Sequence, residues 1–334
     1  MPTTALYDLA DRFYTLAPWE ILEEIDLIRL IHPDTGESGC ISIMGRQGQH
    51  QCLALYLGDE ALHRFNLMQE DDPDDPAVPE IDSLGLILET RQLQASFGVR
   101  AELRTDELAL IKKHGRKYRG DNWPMFRSFK PGYAPGPPDD AEILWLTIAL
   151  EQMFTVFPSL TSDGSSTFRQ TAEGFETLTR VFENGAWRSK WTEHDGRTHE
   201  WATPEPSELL LEKIRRQEKL VEIDCHFQLL TTPVGRPGSA VFPYLAISVE
   251  PKSGFILGVE LLSCEKQSHA ELIASVPDVF LKQWDKAGIR PASIRVSTIT
   301  TYSMLEITAD RLNTRMRRAG RLPSIDRVMR ELPL

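Results

Sequence analysis

Apolar and polar positions alternate with period two in three successive pieces of the stretch 221–298. They read Val-Glu-Ile-Asp-Cys-His-Phe-Gln-Leu from residue 221, Tyr-Leu-Ala-Ile-Ser-Val-Glu from 244, and Phe-Ile-Leu-Gly-Val-Glu-Leu-Leu from 255. Successive side chains of a strand point to opposite faces, so this alternation predicts three strands. The Gly, Pro and Ser residues between them predict turns. A longer segment of helical spacing and the short piece Ile294-Arg295-Val296-Ser297 follow. The stretch therefore predicts a three-stranded meander, a crossing helix and a fourth strand.

Upstream, Leu6, Leu9, Ala10, Phe13 and Tyr14 share one helical face over residues 4–14, with Thr3 or Thr4 as N-cap and Pro18 as a stop. Strands are predicted at 25–31, 39–44 and 51–57, with turns at 33–36 and 45–48, and a helix over 58–67. A strand at 84–89 and a helix at 105–114 come next. The last helical turn carries Lys112 and Lys113, with Gly115 as the capping glycine. Asp139 and Glu142 have the spacing of a capping box at the start of a helix that is apolar on most faces over 143–157, which predicts a buried central helix. Residues 158–170 have a linker's composition. Asn184-Gly185, between apolar runs at 177–182 and 186–192, is a strong hairpin signal. A charged amphipathic helix is predicted over 207–220. The fold class expected is α+β with two domains: an N-terminal α+β domain over 1–158, a linker at 159–172, a hairpin and connecting helix over 173–220, and a mixed sheet with helices over 221–334.

The order in 221–298 resembles the ribonuclease H-like core of transposases and integrases. The likeness is carried by Asp224 in the first strand, Tyr244-Leu245 opening the second and Glu250 closing it, Gly258 in the third, and Ile294-Arg295 in the fourth. It covers the last third of the chain. Such nucleases cut phosphodiesters with two metal ions held by converging carboxylates. Carried over to this chain, the resemblance places Asp224 at the first-strand position, Glu271 early in the crossing helix, and Asp326 or Glu331 at the last carboxylate, with Mg²⁺ or Mn²⁺ as the ions. Ser297 stands where the fourth strand should carry Asp, and a hydroxyl is a poor magnesium ligand beside a carboxylate. The resemblance thus implies a degenerate, non-catalytic domain. The stretches Pro18-Trp19-Glu20, Met44-Gly45-Arg46-Gln47-Gly48, Tyr56-Leu57-Gly58 and Phe126-Arg127-Ser128-Phe129-Lys130-Pro131-Gly132-Tyr133 resemble an uncharacterised bacterial family catalogued only as domains of unknown function, which implies no activity.

Composition changes the picture in two places. Of the 334 residues, 41% are hydrophobic and 26% charged, the balance of a soluble globular chain. The longest apolar runs, such as 143–150, are short for a membrane span, and no basic-then-apolar leader is visible, so a cytoplasmic location without membrane contact is expected. Cys40, Cys52, Cys225 and Cys264 have no CxxC spacing, which predicts buried free thiols. The net charge of −12 is uneven: residues 1–205 carry 19 Lys+Arg against 34 Asp+Glu, and residues 206–334 carry 18 against 15. Any surface for phosphate therefore belongs to the C-terminal part.

Arg311, Arg315, Arg317, Arg318, Arg321, Arg327 and Arg330 crowd that end, and arginine suits bidentate phosphate contacts. Arg315, Arg317, Arg318 and Arg321 are the nucleic-acid candidates. A charged edge strand guarded against aggregation, or a contact with the acidic N-terminal domain, explains them equally well. Interleaved cations and aromatics single out Arg119, Trp123, Arg127 and Tyr133 as a partner-binding set, and an amphipathic strand running into a turn accounts for the same residues. The acidic run 70–76 reads as a solvated loop. His194 and His199 lack a second convergent cluster, so no metal site is expected. No nucleophile motif, phosphate-binding loop or dinucleotide fingerprint is present. The expected function is a non-catalytic binding module for nucleic acid or a nucleoprotein partner. The alternatives are a protein–protein adaptor and a metal-dependent nuclease, and only the latter calls for a cofactor. Oligomeric state stays open.

Overall fold

The computed structural model describes residues 2–69, 83–162, 166–171, 175–193, 203–236 and 239–331. The acidic run 70–76 and the pair His194 and His199 lie outside these residues. The chain is α+β and divides into two compact units: one of residues 1–66, 90–130 and 135–199, the other of 67–89, 131–134 and 200–334.

The first unit begins with α1 (Thr4–Leu16), whose N-cap Thr3 accepts a hydrogen bond from the Leu6 N–H at 3.2 Å. The helix ends at Ala17, in the left-handed region with φ 48°, before Pro18. Strands β1 (Ile28–Ile31), β2 (Ser38–Met44) and β3 (Cys52–Leu57) form the expected meander, and α2 (Gly58–Gln69) follows. The sheet continues through β4 (Gln92–Gly98) and β5 (Trp123–Phe129), all antiparallel. Between them lies α4 (Thr105–Lys113), and after them α5 (Asp140–Ser162). Leu146, Ala149, Leu150 and Met153 of α5 are fully buried against α1 and the apolar face of the sheet. The capping box forms as its spacing predicts: Asp139 N–H donates to Glu142 Oε2 at 2.9 Å, and Glu142 N–H to Asp139 Oδ1 at 3.0 Å. Asp140–Thr161 is long and apolar enough to cross a membrane by length and composition alone, and 56% of its most apolar window is buried inside the fold. The helix outruns the 143–150 stretch because Pro158 is accommodated within it.

Three local expectations are corrected. The predicted strand at 84–89 is helix α3 (Ser83–Glu89), and the strand lies further on, at β4. A short run such as Leu84-Gly85-Leu86-Ile87-Leu88 has no period that separates helix from strand. The strand was hidden by Gln92, Gln94 and Ser96, polar residues that are nevertheless buried on one face of the sheet. The stretch with a linker's composition instead holds the end of α5 and the edge strand β6 (Phe168–Gln170). The helix expected over 207–220 is the shorter α6 (Glu208–Arg215), because residue 219 already begins the next strand. The hairpin β7 (Phe175–Glu183) and β8 (Ala186–Glu193) turns on Asn184 and Gly185, with φ 54° and 76°, the left-handed pair of a tight hairpin. It joins the first unit's sheet where β7 runs parallel to β1.

The second unit is built on β9 (Lys219–Leu229), β10 (Tyr244–Glu250), β11 (Phe255–Leu262), β12 (Ile289–Val296) and β13 (Arg315–Arg318), in the order β11-β10-β9-β12-β13. The first three strands are antiparallel, and β12 and β13 run parallel to β9. Helix α7 (His269–Ala287) links β11 to β12, α8 (Ile299–Arg311) links β12 to β13, and α9 (Pro323–Glu331) closes the unit. One face of the sheet carries Ile223, Cys225, Phe227 and Ser248. There Gln283 of α7 accepts from Ser248 Oγ at 2.6 Å and donates to the Ala246 carbonyl at 3.2 Å. Helix α9 covers the other face, packing Leu322, Ile325 and Val328 on Ile247 and Val249. All four cysteines are buried free thiols, and burial pushes Cys40 up to about 12 and Cys225 well above its ordinary value.

Candidate functional site

On the α9 face, strand parity sets Glu222, Asp224 and His226 of β9 beside Ser293 and Arg295 of β12, and these beside Arg315 and Arg317 of β13. The register pairs Asp224 with Arg295, and Arg295 with Arg317. Asp224 is fully buried. Arg295 grips it in a fork: Nε donates to Oδ1 at 2.6 Å and Nη2 to Oδ2 at 2.8 Å. Ser324, in the first turn of α9, donates its hydroxyl to Oδ2 as well. The hydrogen bonds that Arg295 donates to Asp224 hold its guanidinium above its ordinary pKa. Asp224 does not take His226, which shares its face, as a partner, because Arg295 in register across the ladder already holds both carboxylate oxygens. His226 instead bonds Gln228 Oε1 through Nε2 at 2.8 Å, and its Nδ1 lies 3.5 Å from Ser297 Oγ.

The three carboxylates singled out as catalytic candidates are not brought together. Helix α7 starts beside Tyr244, where His269 Nε2 meets the Tyr244 hydroxyl at 3.0 Å. Along β10, Tyr244 is five residues from Val249, the residue opposite Asp224; at ~3.3 Å per residue this puts the start of α7 at the far end of the sheet. Glu271 there closes a capping box, accepting from the Ser268 N–H and hydroxyl, each at 2.8 Å. Those bonds hold its carboxyl below the usual range. Asp326 shares the α9 face but accepts from Arg321 Nε at 2.6 Å. Among the described residues no group of three or more His, Cys, Asp or Glu is placed to hold a metal ion.

The arginines are spread by strand parity. Arg315, Arg317 and Arg318 are exposed on β13, which pairs only with β12 among the described strands. Arg317 Nη2 lies 3.9 Å from Glu222 Oε2, and Arg321 is bound to Asp326. Arg315 and Arg318 have no acidic partner among the described residues. Arg119, Trp123 and Arg127 lie in the first unit and Tyr133 in the second. Arg119 is exposed, and Trp123 packs against the first unit's core beside Tyr118. Arg127 is half-buried in a two-bond ion pair with Glu107, and burial pushes its pKa down to about 10. Tyr133 belongs to the second unit, where its hydroxyl donates to the Cys264 carbonyl at 3.2 Å.

A pocket of about 410 Å³ opens beside the Asp224–Arg295 pair, lined by Glu222, Lys252, Gly254, Arg295, Ser324 and Arg327 among others. Sequence reading passed over Arg295, Ser324 and Lys252. The available signal was parity: Arg295 lies two residues before Ser297, the position just past the end of β12, and so shares the face on which an acid was expected.

Burial gives His226 a lower pKa than an ordinary histidine, opposed by its bond to Gln228 and the charge of Asp326. The unfolded chain takes up its proton near ~6.5, before the folded protein does. Below that pH the unfolded state binds more protons, so this contribution to stability is complete above ~6.5 and is lost as pH falls. The drop in Tm from about pH 7.5 to about pH 5.5 is expected to be smaller in His226→Gln than in the wild type. Equal drops in the two proteins would assign the acid sensitivity elsewhere.

A family model described as Domain of unknown function (DUF7309) matches residues 4–180, and a second, Domain of unknown function (DUF6930), matches residues 210–333. The chain belongs to the first of these families. Comparison with curated proteins and with solved structures gave no match.

Proposed function

We propose that the second unit is a ribonuclease H-like domain without metal-dependent chemistry, which uses its arginine-bearing edge to hold the phosphate backbone of a nucleic acid. The strand order and directions support the fold reading: an antiparallel meander, then two helix-linked strands parallel to the first. The observation that carries the reading is the fork between Arg295 and Asp224. A two-metal centre needs carboxylate oxygens free to face cations. Here both oxygens of the first-strand acid already face a guanidinium, and Ser297 offers only a hydroxyl in the next strand. With cleavage chemistry absent, what remains at this end is positive charge: Arg315, Arg317 and Arg318 on an exposed edge strand, presenting donors to both sides of it. Arginine forks match phosphate oxygens, and such contacts bind without reading sequence.

Fluorescence-anisotropy titration against single- and double-stranded DNA and RNA, at about 50 mM and about 200 mM salt, tests this. Binding is expected to weaken steeply with salt. In Arg315/Arg317/Arg318→Ala the slope of log affinity against log salt should fall by about 0.7–0.9 for each phosphate contact removed. A wild type that binds nothing at low salt would sink the reading and leave a protein partner as the explanation. Mn²⁺-dependent cutting that disappears in Asp224→Asn would overturn the non-catalytic half.

A further inference from the structure

We propose that the pocket beside the Asp224–Arg295 pair is a binding site for a phosphate group, held by Lys252, Arg327 and the outward side of Arg295. The pocket lies between the β10–β11 turn, which carries Lys252 and Gly254, and the first turns of α9, which carry Ser324 and Arg327. Its volume of about 410 Å³ falls in the range of about 300–1,000 Å³ that small-ligand sites occupy.

The charges around it do not cancel. Asp224 is neutralised by Arg295, and Glu222 lies 3.9 Å from Arg317 and 3.6 Å from Arg295. Lys252 and Arg327 are exposed and have no acidic partner among the described residues. Two cations therefore face the same pocket with no counter-charge of their own. Arg295 adds a directional group. Its Nε and one Nη2 hydrogen serve Asp224, so three of its five N–H groups are left for another acceptor. Because Asp224 fixes the plane of the guanidinium, those donors are oriented in advance, which lowers the entropic cost of binding. The turn contributes shape. Gly254 has φ 73°, the left-handed conformation that favours glycine in this turn, and Arg327 Nη1 lies within van der Waals reach of it. The start of α9 adds the positive end of a helix dipole on the pocket's other wall. A group with several negative oxygens and tetrahedral shape satisfies a point cation and two guanidinium groups together.

This inference rests on the nucleic-acid reading only for the expectation that the phosphate is the end of a polynucleotide; the chemistry is the same for a free nucleotide. Three ligands separate the sources: a labelled single-stranded oligonucleotide with a 5′-phosphate, the same oligonucleotide with a 5′-hydroxyl, and a nucleoside monophosphate. They are titrated into the full chain and into Lys252→Gln/Arg327→Gln, which replaces two exposed side chains and leaves Asp224–Arg295 intact. The 5′-phosphate is expected to tighten binding by about 10-fold over the 5′-hydroxyl in the wild type, and the variant should lose that increment. The variant should still bind the 5′-hydroxyl oligonucleotide in a salt-dependent way through the β13 edge. Saturable monophosphate binding that the variant lacks, without a 5′-phosphate increment, supports the site with a free nucleotide as its ligand. A wild type in which neither phosphate form gains over its control, or a variant that gains as much as the wild type, overturns the proposal. If the 5′-hydroxyl oligonucleotide fails to bind the wild type at low salt, the edge reading fails while the monophosphate titration still decides the pocket.

Discussion

Asp224→Ala is expected to destabilise the second unit by about 3 kcal/mol, the low end of what removing one partner from a buried ion pair costs. The carboxylate is fully buried and accepts two bonds from Arg295 and one from Ser324. Its loss leaves a guanidinium facing a cavity. The Arg295 side chain keeps 21% exposure and can turn part of its charge to water, which holds the cost below the upper end of about 5 kcal/mol. Replacing both partners by apolar residues, as in Asp224→Leu/Arg295→Met, removes the stranded charge and should recover most of the loss. Urea unfolding of the wild type, the single variant and the double variant measures this. A single variant within about 1 kcal/mol of wild type would mean that the carboxylate is not held by the pair. The argument that Asp224 is unavailable to a metal ion would then fall with it.

Trp284→Ala should cost about 3–5 kcal/mol, because it empties the volume of the largest fully buried side chain among the described residues. Trp284 lies on α7 near Phe280, with ring centroids 6.3 Å apart, inside the face opposite α9. Its indole N–H has no hydrogen-bond partner among the described protein groups. Trp284→Phe therefore removes a poorly satisfied donor together with part of a ring, and its cost should stay below about 1.5 kcal/mol. A phenylalanine variant as damaged as the alanine variant would show that the indole nitrogen is bonded after all. The same unfolding measurement reads both variants.

Much of the fold was legible because its signals are local. Thr3, the Asp139–Glu142 box and the Asn184-Gly185 turn act through bonds within a few residues, and all three appear where the spacing puts them. The strands of the second unit were legible from period-two alternation between turn residues, although β10 is buried on both faces. Where both faces are buried, as in β4 with its interior Gln92, Gln94 and Ser96, the alternation no longer separates inside from outside. A short apolar run such as 84–88 leaves helix and strand equally open.

The site was legible only in part. The sequence alone determined that Asp224 lies on a strand flanked by Ile223 and Cys225, that Ser297 follows a later strand with only a hydroxyl to offer, and that arginines gather towards residue 330. Composition and period-two alternation suffice for this, because each depends on near neighbours. Which carboxylates meet was decided by the tertiary structure. It set Arg295 across from Asp224, carried Glu271 to the far end of the sheet, and brought Lys252 and Arg327 to one pocket from segments more than seventy residues apart in sequence. Strand register and helix docking fix those distances, and both depend on how whole faces pack, which no window of adjacent residues contains.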